Sequence, residues 1–204
     1  MQVAIAADLG DWAVAREALS ALSSDEVQEQ ATVLSWRRAA VLLGSGELAP
    51  ALDAADSAIE QAANARSYAA ELQARLIRAQ ALHALKRDAD ARAELTRVQD
   101  GLVRYASVNL QLRIRETELA LLQGDQARAS YQQANALLAR LPRYARAFAI
   151  HQLAASNPGL KVADAAKAGE RARTALAELL SETPTERHAA LLDYARTLGL
   201  EGVQ

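Results

Sequence analysis

The side chains with the widest chemical repertoire in this chain are its three histidines, His83, His151 and His188. They lie far apart, and none has a carboxylate or second histidine at metal-ligand spacing on its own helix, so each reads as a surface or groove residue and no metal site is expected. Glu116 and Glu118 are two positions apart, which on a helix turns them to different sides and prevents them from acting as a paired acid and base. Gly44-Ser45-Gly46 follows no strand, so it reads as an inter-helix turn rather than a phosphate cradle. There is no cysteine, which excludes thiolate nucleophiles, disulfides and cysteine zinc sites. No nucleophile, acid/base or metal constellation remains, and neither catalysis nor a cofactor is expected. Arginines recur instead: Arg37-Arg38, Arg75 with Arg78, Arg113 with Arg115, Arg143 with Arg146. They would serve as a ladder for an acidic partner, but the preferred reading is that their stems cover an alanine-rich surface while their heads pair with neighbouring Glu and Asp.

The elements that carry these residues are helices. Half of the 204 residues are hydrophobic, dominated by Ala and Leu, with one phenylalanine and few β-branched residues, and strands need what is scarce here. The punctuation repeats. An apolar helical pattern stops and another starts at Gly10-Asp11, at Gly46-Glu47, at Lys86-Arg87-Asp88 with the glycine lost, and at Gly124-Asp125. The alanines five positions after each turn residue, Ala15, Ala51, Ala91 and Ala129, stand 36, 40 and 38 residues apart. Periods of roughly 34 to 47 residues made of two helices mark helical solenoids.

The spacing predicts hairpins over 2–22, 25–63, 67–103, 107–141 and 143–180 in a repeat domain of residues 1–182, then a C-terminal capping helix and tail over 183–204. Ser24 before Asp25-Glu26 is expected to cap one helix, Pro142 to stop another, and Asn64 to be the left-handed breaker between 48–63 and 68–85. Ser156-Asn157-Pro158-Gly159 is the strongest loop signal. The net charge of −2 argues against nonspecific nucleic-acid binding. The opening Met-Gln-Val-Ala-Ile-Ala-Ala-Asp has neither the basic start nor the apolar run of a signal peptide, and no segment approaches the roughly 20 apolar residues of a membrane span. A cytoplasmic location is the expectation.

Leu76 to Leu85 followed by Ala91, and Glu118 to Asp125 followed by Ala129, resemble tetratricopeptide repeats, with Ala79 and Thr117 as the small residues of the first helices. The unit length is similar to that in sensor domains of large bacterial transcription activators and other multidomain regulators. The resemblance implies an all-α, right-handed α-solenoid of about five antiparallel helix pairs, whose first helices line a concave groove. Counted back from the anchor alanines, that groove receives Val33, Trp36 and Ala40, then Gln73, Leu76, Gln80 and His83, then Gln111, Ile114, Glu118 and Leu121. These residues suit an amphipathic helix or an extended apolar segment. The implied function is a non-enzymatic protein-protein interaction module. Alternatives are a ligand-sensing domain of a signalling protein and a structural homo-oligomer.

Overall fold

The computed structural model describes residues 6–7, 10–23, 30–102, 105, 107–141 and 144–200. Among the described residues the fold is all helical. The expected helix start at Ser24, the stop at Pro142, Arg143, the opening turn from Gln2 and the tail from residue 201 lie outside them. No helix among them is long and apolar enough to cross a membrane. They also contain no group of three or more histidines or carboxylates able to hold a metal ion.

The chain divides into two compact units, one of residues 1–7 and 12–107, the other of 8–11 and 108–204. The first unit contains α1 (Trp12–Ser20), α2 (Ala31–Gly44), α3 (Leu48–Asn64), α4 (Tyr68–Ala84) and α5 (Asp88–Gly101). Sequential helices pack on one another, and α4 also packs on α2. Alanine permits this closeness. Ala39 of α2 and Ala55 of α3 meet Ile77 of α4 in one cluster, and Ala15 of α1 meets Val41 of α2 in another. Trp12 lies so close to Gly44 that a Cβ there would meet the indole at 2.2 Å. Only glycine fits that position.

Three turns of the first unit have one geometry. Each leaves its helix through a residue at positive φ, Gly46 (79°), Arg66 (53°) and Lys86 (63°), spaced 20 residues apart. Each is closed by a backbone amide donating five residues back, Glu47 to Leu42 (2.9 Å), Ser67 to Ala62 (2.8 Å) and Arg87 to Leu82 (2.8 Å). This satisfies carbonyls that a helix end otherwise leaves without partners. Lys86 occupies the place of the lost glycine. Asn64 is not the breaker: it is the last helical residue, and Arg66 takes the left-handed place. Burying Ala62 before the turn and Ala70 after it fixes the register, which overrides the preference of one side chain.

The second unit contains α6 (Val108–Leu121), α7 (Gly124–Leu138), α8 (Ala147–Ser156), α9 (Val162–Glu182), a 3-10 turn (Thr185–Arg187) and α10 (His188–Thr197). Here α8 is central and packs on α6, α7 and α9. Leu112, Leu119, Ala127, Tyr131, Ile150 and Ala168 form one buried cluster. Leu191, Ala195 and Leu200 close another with Phe148 and Leu176, which ties the last helix into this unit.

The connection from α6 to α7 is shorter than those of the first unit. Only Leu122 and Gln123 intervene, and Gly124 (φ 61°) is both the left-handed residue and the first of α7. The anchor alanine therefore shifts. Ala127, not Ala129, is fully buried, and like Ala15, Ala51 and Ala91 it is the fourth residue of its helix.

Candidate binding face

The ion pairs of α4 distinguish its two partly exposed strips. One strip carries Glu71, Arg75 and Arg78, the other Ala69, Gln73, Gln80 and Ala84. Arg75 and Arg78 each reach Glu94 of α5, at 2.8 and 2.9 Å, and Arg78 also reaches Asp56 of α3 at 2.5 Å. Arg75 grips Glu71 through both Nε (3.0 Å) and Nη2 (2.8 Å), and Arg97 brings a third guanidinium to Glu94 at 2.9 Å. Glu94 is almost wholly buried, at 1% exposure. Burial disfavours the arginine charges, yet the hydrogen bonds they donate to Glu94, Glu71 and Asp56, with the attraction of those carboxylates, together outweigh it and hold Arg75 and Arg78 above their ordinary values. That strip belongs to the second helices of the pairs. The strip of Ala69, Gln73, Gln80 and Ala84 faces away from them.

The same register runs through α2, because its turn residue lies 40 positions earlier. Val33 corresponds to Gln73, Trp36 to Leu76 and Ala40 to Gln80. Val33 is 40% exposed, while Trp36 and Ala40 are half-buried. The guanidinium of Arg37 stacks on the Trp36 ring, 4.8 Å from its centroid. His83, also half-buried, holds Asp88 through Nδ1 at 2.7 Å across the turn into α5. This hydrogen bond, more than the slight desolvation that opposes it, keeps the Asp88 carboxyl below its usual range.

Four of the residues assigned to the groove are interior. Leu76 and Ile114 are fully buried, Glu118 is 2% exposed and Leu121 5%. Leu76 faces the helix contacts rather than the strip, so it packs the core where Trp36 is only half covered. On α6 the difference is one of register. Its solvent-facing strip carries Asn109, Arg113 and Ala120, while Gln111 shares the side of Arg115. That side turns to α7. Arg115 donates to Glu118 at 2.5 Å, and the Ser130 hydroxyl of α7 donates to the same carboxylate oxygen at 2.6 Å. Counting from the shortened turn at Gly124 misplaced these positions.

Glu116 and Glu118 point apart, as two-residue spacing requires, yet both are buried. Arg146 grips Glu116 with two nitrogens, Nε at 3.0 Å and Nη2, and Nη2 also meets the Tyr194 hydroxyl. Burial opposes the Arg146 charge, but Glu116 raises it well above the ordinary value. Burial and Glu116 together push the Tyr194 hydroxyl up to about 12, against the pull of Arg146. Of the recurrent arginines, Arg75, Arg78, Arg115 and Arg146 thus pair with carboxylates of their own unit.

Asn157 is the residue that sequence reasoning missed. Its side-chain amide donates to the carbonyls of Leu119 (2.9 Å) and Leu122 (2.8 Å), capping the end of α6, while its oxygen accepts from the Gly159 amide at 2.9 Å. The loop lies so close that a Cβ on Gly159 would sit 1.9 Å from the Gly124 nitrogen. No protein-family model, curated protein or solved structure matches this chain.

Proposed function

We propose that this chain is a right-handed, tetratricopeptide-repeat-like α-solenoid acting as a non-enzymatic interaction module, part of a bacterial regulatory or assembly protein. Its ligand is a peptide or protein segment lying along the first helices, over Val33, Trp36, Gln73, Gln80 and His83. One observation carries this reading. In both units the first helices pack on each other as well as on their partners, α2 with α4 and α6 with α8. The ion-paired strip of α4 is turned to the second helices, and the partly exposed strip on its opposite side, with Gln73 and Gln80, is where the ligand would lie.

The buried carboxylates support the same reading. Glu94, Glu116 and Glu118 are each engaged by arginine, with a serine hydroxyl added at Glu118, an arrangement that stabilises packing. The test is selection of peptides from a displayed library on the full chain, followed by titration of the best binder into Trp36→Ala and Gln80→Ala. Loss of about 2 kcal/mol, roughly thirtyfold in Kd, is expected at Trp36 if it is a hot spot. No binder, or one indifferent to both substitutions, refutes the proposal.

A further inference from the structure

The three histidines occupy three electrostatic settings. His83 lies against the Asp88 carboxylate at 2.7 Å, and protonation turns that hydrogen bond into an ion pair. His188 has its Nε2 2.8 Å from the Thr183 carbonyl, which accepts an N–H. His151 is different. It sits in the central helix α8, 8% exposed, with its Nδ1 2.9 Å from the Tyr131 hydroxyl of α7 and the two rings edge to face at 5.8 Å.

We infer that the α7–α8–α9 seam of the second unit is an acid-sensitive latch, in which protonation of His151 loosens α8 and α9 from their packed state while the first unit stays closed. Among the described residues, a charge on this ring would be buried without a carboxylate to meet it. From α7 it faces the neutral Tyr131. From α9 it faces Arg171, whose positive charge opposes a second one and whose Nη1 donates to Asn135 of α7 at 3.3 Å. The carboxylates of α6, which also packs on α8, are committed elsewhere, Glu116 to Arg146 and Glu118 to Arg115 and Ser130. The Tyr194 hydroxyl of α10 is likewise held by Arg146, five residues before the histidine.

Burial, and then Arg171, push the His151 ring down to about 4 from 6.5. The sign follows. The unfolded seam accepts a proton that the folded seam refuses, so stability is complete above pH 6.5 and is lost progressively as pH falls towards 4. The latch would work in the acid range that precedes general carboxylate protonation.

The experiment is hydrogen exchange of the full chain at pH 7 and pH 5, corrected for intrinsic rates, with a pH titration of the histidine ring resonances. Protection of α8 and α9 should drop by about ten- to thirtyfold at pH 5 through linkage, with α3 and α4 unchanged. His151→Gln keeps a hydrogen-bonding group and carries no proton, so it should abolish the difference. Equal loss in both units, no loss in α8 and α9, or the same loss in His151→Gln overturns the inference. Should that variant fail to fold, the wild-type ring decides: a midpoint near 6.5 overturns the latch, and one near 4 together with the selective loss supports it.

Discussion

Arg66 and Lys86 stand where a side chain costs most, at φ 53° and 63°, in turns that otherwise match the one at Gly46. A left-handed residue with a Cβ costs about 1 to 2 kcal/mol, partly offset because glycine frees the unfolded chain. Arg66→Gly and Lys86→Gly should therefore each stabilise the protein by about 0.5 to 1 kcal/mol, seen as a higher urea midpoint at unchanged slope. Gly46 and Gly124 give the converse. A Cβ on either would meet nothing within 4 Å, so alanine there should cost about 1 kcal/mol through backbone strain alone. The turn at Lys86 was legible because its spacing from Ala91 matched that of its neighbours. Arg66 was not, since nothing in its side chain favours the left-handed region, and packing on either side chose the position.

Helix ends and helix seams draw on partners far along the chain, and this is where sequence reading stopped. The loop at Asn157 announces itself through Pro158 and Gly159, yet its task of capping α6 depends on a residue 38 positions away. Asn157→Ala should take the side-chain donor from one buried and one partly buried carbonyl and cost about 1 to 3 kcal/mol, with exchange at the end of α6 rising first. The α4–α5 seam is harsher. Removing Glu94 takes the shared carboxylate from three converging guanidiniums, of which Arg75 keeps Glu71 and Arg78 keeps Asp56, so Glu94→Ala should cost about 1.5 to 3 kcal/mol, measurable by chemical unfolding. Sequence periodicity placed both helices of that seam within a few residues, and it anticipated that their arginines pair locally. It could not place Glu94 in the interior, because a charged residue in a polar stretch is buried only when partners from other helices converge on it. On α6 the exposed strip carries Asn109, Arg113 and Ala120 instead.

At the largest scale, Gly10 belongs to the second unit, where it lies against α10. Its backbone passes so close to Tyr194 that a Cβ would lie 2.6 Å from the ring, at a φ of 75°. Gly10→Ala combines a clash with strain and should destabilise the second unit by about 2 kcal/mol or more, read as lost protection in α10. Tyr194 also sets an alkaline limit. Its folded value near 12 lies above the ordinary 10, so its contribution is complete below pH 10 and disappears as pH rises to 12. Tyr194→Phe should remove that portion of the pH dependence from the unfolding curve. The equal spacing of Gly46, Arg66 and Lys86 has a different consequence, for the growth of the chain itself. Residues 47–86 begin and end at the same backbone geometry, so a copy spliced in after Lys86 would meet its neighbours through joints already present. Such a duplication should yield a longer folded protein with undiminished helicity per residue, which circular dichroism would report. Length, in this chain, is then a variable that tandem duplication can change without inventing a new turn.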